Sequence, residues 1–211
     1  MRDVVATSAL LLLAPMAAAE VSTVFDFEGL PASSGVGVGE LSVLDLSQEG
    51  IGLAISREDG IAFDVVDVGS LFNPPASFGT RALDPFANRV GGGPGTGGAF
   101  VFAFDIALTS FSIDFGNGAG GTATLEAFSD ASLTTLVSTA TETGGLFPNV
   151  STLTVAGEFQ YLRITSTHPT NPLGDEENVF YLDNIAVTAI PTPNASLALV
   201  MGGLLAARRR R

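Results

Sequence analysis

The chain has 211 residues, enough for one domain with a real core, and it has no Cys, which excludes disulfides and thiolate metal sites. Every one of its nine basic residues is Arg, and five of them sit in the terminal segments, Arg2 and Arg208 to Arg211. Residues 20–189 therefore set four Arg against 21 acidic side chains, a net of −17, which excludes nucleic acid as a partner and suits a solvated surface or one that gathers divalent cations.

Residues 1–19 open with Arg2, continue as a short apolar run to Ala14, and end in Ala17-Ala18-Ala19. A single positive charge, a brief apolar stretch and small residues at alternate positions make a secretory signal peptide. Its cleavage point is the Ala-x-Ala of Ala17 and Ala19, cut by signal peptidase to leave Glu20 first. The run is too short for a membrane span, which takes about 20 residues.

Residues 20–189 alternate with a period of two, the mark of half-buried strands. Strands are expected at 21–28, 61–66, 99–105, 110–115, 121–127, 133–139, 151–155, 161–165 and 179–187. The clearest is 99–105, with Phe100, Phe102 and Phe104 on one face; in the next, Phe111, Ile113 and Phe115 point inward. Gly116-Asn117-Gly118 marks a turn, and residues 81–98, with their run Gly91-Gly92-Gly93-Pro94-Gly95-Thr96-Gly97-Gly98, have the weakest pattern; that run is read as a surface loop. No segment outside the ends forms an amphipathic helix. Short strands punctuated by turns predict an all-β, antiparallel, jelly-roll-like β-sandwich. It is flanked by the N-terminal signal helix and a C-terminal hydrophobic helix.

Few polar residues in this domain carry chemistry. Asp183 shares the parity of Ile185 and Val187, so it turns inward with them, and an inward carboxylate needs partners. Either it accepts backbone N–H bonds at a turn, or it holds a cation. Asp175-Glu176-Glu177-Asn178 is an acidic loop, read as solvated, with paired carboxylates for glycoside hydrolysis as the lesser alternative. The lone His168 lies in a loop without a Gly-x-Ser-x-Gly elbow, and the Gly run lacks the Lys of a phosphate loop. Asn149-Val150-Ser151 matches a glycosylation sequon. Trp is absent and the two Tyr are Tyr161 and Tyr181, so an aromatic sugar platform is not expected. No catalytic constellation stands out, and the domain is read as non-enzymatic.

Residues 190–211 have three parts: Ile190-Pro191-Thr192-Pro193-Asn194, an apolar stretch from Ala195 to Ala207, and Arg208-Arg209-Arg210-Arg211. The basic end stays cytoplasmic while the leader exports the rest, so the two ends agree on topology. As a helix the apolar stretch reaches only about 20 Å at 1.5 Å per residue, which fits transient inner-membrane anchoring better than a permanent span.

This C-terminal arrangement resembles the PEP-CTERM sorting signal of Gram-negative bacteria, with Pro191-Thr192-Pro193 where that family carries Pro-Glu-Pro. The resemblance implies an exosortase, a membrane-embedded transpeptidase, as partner, removal of the tail, and delivery to the cell surface or extracellular matrix. The domain is similar to galactose-binding-like and carbohydrate-binding β-sandwiches through Phe25-Asp26-Phe27-Glu28-Gly29 at its start and Tyr181-Leu182-Asp183-Asn184-Ile185 at its end. That similarity implies polysaccharide as a partner and a structural Ca2+ held by Asp26, Glu28 and Asp183, with backbone carbonyls completing the six to eight oxygens that calcium takes.

Overall fold

The computed structural model describes residues 19–32, 41–69, 73–84, 99–116, 121–144, 148–167 and 180–189. Both terminal segments fall outside them apart from Ala19, and so do His168, the acidic loop 175–178 and the glycine run 91–98. Among the described residues no helix is long and apolar enough to cross a membrane. The strands are β1 (Val21–Phe25), β2 (Val43–Gln48), β3 (Ile51–Arg57), β4 (Asp64–Asp67) and β5 (Arg81–Asp84), followed by β6 (Phe100–Gly116), β7 (Gly121–Phe128), β8 (Leu136–Gly144), β9 (Ser151–Thr167) and β10 (Tyr181–Ala189). All pair antiparallel, within the compact unit Glu20–Pro191.

The two 17-residue strands make the sandwich. β6 joins the expected strands 99–105 and 110–115 into one, and β9 does the same for 151–155 and 161–165. A straight strand would separate Phe102 from Phe111 by about 30 Å. Their ring centroids are 5.8 Å apart, and Phe104 lies 6.1 Å from Phe111. β6 therefore folds back on itself. Register shifts on both sides of Leu108 mark the bend, as bulges do when a strand changes sheets.

One layer is built from the C-terminal half of β6, the N-terminal half of β9, and β10, with β1 and the β5–β4 pair along the far edge of β10. The other runs β2, β3, the first half of β6, the second half of β9, β7 and β8. Between them lie Phe25, Leu53, Ile55, Phe100, Phe102, Phe111, Phe115, Leu162, Leu182 and Val187, all buried. A smaller cluster of Val66, Val68, Phe78, Ala82 and Tyr181 sits apart from this core.

The antiparallel β-sandwich expected from the alternation is thus the fold observed. Three local readings change. β2 and β3 form a hairpin that the pattern did not reveal; its turn puts Glu49 at φ 52° and Gly50 at φ 79°, the two positive values of a type I′ turn, with Glu where Asn or Asp would have announced it. Residues 81–84, in the region of weakest pattern, pair with β4 and reach β10 through Leu83. β8 begins at Leu136 rather than 133, because the Asp130 carboxylate accepts the N–H groups of Ser132, Thr134 and Thr135 and holds that segment as a turn.

Candidate functional site

After β1 the chain turns through Asp26, Phe27 and Glu28, with the Leu30 N–H donating to the Phe27 carbonyl at 3.0 Å. Phe27 is buried and anchors the turn, while Asp26 and Glu28 are exposed. Glu28 reaches the start of β5. Its Oε1 accepts the N–H groups of Thr80 at 2.5 Å and Arg81 at 2.9 Å, and its Oε2 accepts the Thr80 hydroxyl at 2.7 Å. Partial burial works to raise its pKa, but the Thr80 and Arg81 hydrogen bonds and the Arg81 charge outweigh it and lower it.

Asp183 arrives from the other end of the chain and is 1 % exposed. Its inward position has a different geometry from the one parity suggests. Leu182 pairs with Phe115 and Asp183 with Asp114; a register shift follows, after which Ala186 pairs with Ser112 and Val187 with Phe111. Directly paired residues project to the same side of a sheet. Asp183 therefore shares the side of Asp114 and Ser112, away from the main core that Ile185 and Val187 enter. Asn184, at φ 52°, is where the bulge inverts the faces. Its amide donates to the Ser77 carbonyl at 2.6 Å and to Asp114 Oδ2 at 3.1 Å, and Thr152 donates to the other Asp114 oxygen at 2.5 Å. Asn184→Ala should cost about 1–3 kcal/mol in urea unfolding, by losing both bonds and placing a Cβ residue without local support at positive φ; Asn184→Gly should cost less.

Asp183 is buried beneath the turn of Glu28 and the segment that ends at Thr80. Gly79 shows how tightly. A Cβ there would lie 2.2 Å from Glu28 Oε1 and 3.1 Å from Asp183 Oδ2, and its φ of 82° also disfavours any side chain. Glu28 Oε1 thus occupies the room that a side chain at position 79 would need, with Asp183 Oδ2 close beside it. Neither oxygen of Asp183 has a hydrogen-bond partner; the N–H groups of Asn184 and Phe27 lie near enough to favour the anion without making bonds of normal geometry. Burial, with the charges of Glu28 and Asp26 behind it, pushes the Asp183 carboxyl up to about 7. Among the described residues, the charges acting here are the carboxylates of Glu28, Asp26 and Asp183 and the guanidinium of Arg81, whose Nη1 is buried without a hydrogen-bond partner.

Of the expected calcium ligands, then, Glu28 and Asp183 come together and Asp26 acts on Asp183 through its charge. Among the described residues no group of three or more His, Cys, Asp or Glu side chains is gathered around one point. The pair fits a cation on one count, a buried carboxylate with unmatched oxygens, whereas the room beside Gly79 is taken up by Glu28 Oε1. Gly79 and Thr80 were not singled out from sequence, and Asn184 only as part of the closing pattern; the Asp-Asn pair inside a strand was the available hint of a bulge.

Two concavities adjoin this layer. A cleft of about 490 Å3 is lined by Glu28, Gly69, Asn73, Pro74, Ala76, Gly79 and Thr80. A groove of about 290 Å3 crosses β1, β10, β6 and β9 and includes Ser22, Ser110, Ser112, Thr154 and Thr188. Tyr181 is buried, and among the described residues the exposed large apolar side chains are all aliphatic.

No protein-family profile matches the chain, and no curated protein matches it in sequence. Among solved structures it is similar to a DUF4465 family protein from Bacteroides caccae ATCC 43185, with 13 % identity over 79 % of this chain and 98 % of that one at a TM-score of 0.41. It is also similar to two variants of the family 29 carbohydrate-binding module CBM29-2. These are 10 % and 12 % identical, each covering 81 % of this chain and 92 % of the other, with TM-scores of 0.32 and 0.33. Likenesses this distant assign neither a family nor a ligand.

Proposed function

We propose that the chain is an exported, non-enzymatic β-sandwich protein of the cell surface or extracellular matrix, cut by signal peptidase at its leader and by an exosortase-type transpeptidase at its tail. The terminal sequences motivate this reading. The observation that best supports it is the pairing of β1 with β10, in which Val21 stands opposite Ala189. The two residues from which the leader and the sorting tail continue are thereby neighbours in the domain. Its role is structural or adhesive, with polysaccharide as the partner class. Intact-mass measurement of the protein recovered from its own cells tests the reading; a mature chain that begins at Glu20 and lacks Arg208 to Arg211 is expected.

Asp183 favours a second element. In this reading Glu28 and Asp183 hold a calcium ion that ties the turn after β1, the start of β5 and the bulge of β10 together. The ion supplies the positive charge that the buried carboxylate lacks, and it stabilises the fold rather than performing chemistry. Thermal melts with calcium and with chelator test it.

A further inference from the structure

We infer that β2 is an ionic-strength-dependent latch on the sandwich. It seats on β3 when counterions screen the carboxylates around the β2–β3 hairpin, and it leaves β3 when they do not.

The hairpin joins a lightly held strand to a firmly held one. β2 pairs with β3 alone. Val43 is 49 % exposed, and only Leu44 and Leu46 of β2 pack, partly buried, against the core. β3 buries Ile51, Leu53 and Ile55 and is laddered to β6 on its other side, so β2 can leave without it. The turn between them is strained: Glu49 has a φ of 52° at a position that favours Asn, Asp or Gly. An exposed strand with little burial and a strained turn lies at the low-stability end of a fold.

Charge supplies the switch. Asp45 in β2, Glu49 in the turn and Asp105 at the bend of β6 are all exposed. Asp45 and Glu49 are at most about 13 Å apart, at about 3.3 Å per residue. Asp105 lies against the hairpin, because its Oδ1 accepts the Gly52 N–H at 2.8 Å, and Gly52 stands opposite Ser47 of β2. These carboxylates repel one another within a domain of net −17. The described Arg side chains are engaged elsewhere: Arg57 is buried against Asp59, Arg81 acts on Glu28, and Arg163 bridges Glu58 and Glu126. The Debye length falls from about 30 Å at 0.01 M salt to about 3 Å at 1 M, so the repulsion spans the whole hairpin at one extreme and is cut off between neighbours at the other. Apolar burial in β3, β6 and β9 does not depend on this screening, so the response is local to β2.

Hydrogen exchange of the purified full-length chain, read by mass spectrometry in EDTA so that calcium plays no part, tests the latch. On going from 1 M to 0.01 M NaCl, the amides of residues 43–48 should exchange at least tenfold faster, while those of β6 and β9 change by less than threefold. A chain carrying Asp45→Asn, Glu49→Gln and Asp105→Asn should bring the β2 response below threefold. Glu49→Asn, which removes a charge and suits the turn, should slow exchange of residues 43–48 at 0.01 M NaCl. Exchange of β2 that is equal at the two salt concentrations overturns the inference, and so does a change of the same size in β2, β6 and β9. A response undiminished in the triple variant, or β2 amides no slower in Glu49→Asn, also overturns it.

Discussion

At pH 8 without calcium, Asp183→Asn should melt at a higher temperature than wild type, and with saturating calcium the order should reverse. The first half follows from proton linkage. Unfolded, Asp183 titrates near 3.8; folded, it titrates near 7 because burial and the neighbouring Glu28 and Asp26 charges disfavour the anion. Below about pH 4 it is protonated in both states and the difference vanishes. Between there and pH 7 the folded state holds the proton more tightly, so stability falls as pH rises, by up to about 4 kcal/mol in total. Above pH 7 the loss is complete. Asparagine carries no charge and removes this slope, although its buried amide still lacks partners and returns about 1–3 kcal/mol of the gain. The second half follows from mass action: a cation that binds only the folded carboxylate stabilises wild type in proportion to its saturation, and the variant has lost that ligand. Melts at pH 5 and pH 8, each with calcium and with EDTA, check both halves. A wild-type slope unchanged by Asp183→Asn would show that the carboxylate is not the group responsible.

Burial of Asp183 was legible in the sequence, and its direction was not. Parity with Ile185 and Val187 holds only if the strand is regular. The positive φ of Asn184 breaks the count, so Asp183 ends on the opposite face, under a segment more than 100 positions earlier in the chain. Contact between Gly79 and Asp183 is a tertiary fact with no local signature. The alternation of Phe100, Phe102 and Phe104 and of Phe111, Ile113 and Phe115 was plain because both runs are buried on one face only. What it could not show is that the two runs belong to one bent strand, since the bend lies in the register with β9 and β10. The β2–β3 hairpin stayed hidden because β2 buries little and its turn uses Glu-Gly.

Phe100→Ala should be among the most damaging substitutions in the sandwich, costing about 3–5 kcal/mol. The ring is fully buried and sits 5.2 Å from Phe63, 6.2 Å from Phe102 and 6.4 Å from Phe180, measured between centroids. Those neighbours come from the approach to β4, from β6 itself and from the approach to β10, so one truncation loosens three segments at once. Edge-to-face pairs such as Phe63–Phe100, at 89° between ring planes, add to the loss beyond the area uncovered. Phe100→Leu should retain more than half of the stability difference. Val24→Ala, at a side chain 46 % exposed, should stay within about 0.5 kcal/mol of wild type. Urea unfolding of the three variants ranks them; a loss under about 1 kcal/mol for Phe100→Ala would mean that this aromatic cluster does not organise the core.

The account turns on what happens to the two ends of the chain, and the intact mass of the protein isolated from its own cells reads both at once. A mature species running from Glu20 to a C-terminus close to Pro191-Thr192-Pro193, recovered from the surface or matrix fraction, is the predicted result. A chain that keeps Arg208 to Arg211 would contradict tail removal, and one that also keeps Met1 to Ala19 in the cytoplasm would contradict export altogether.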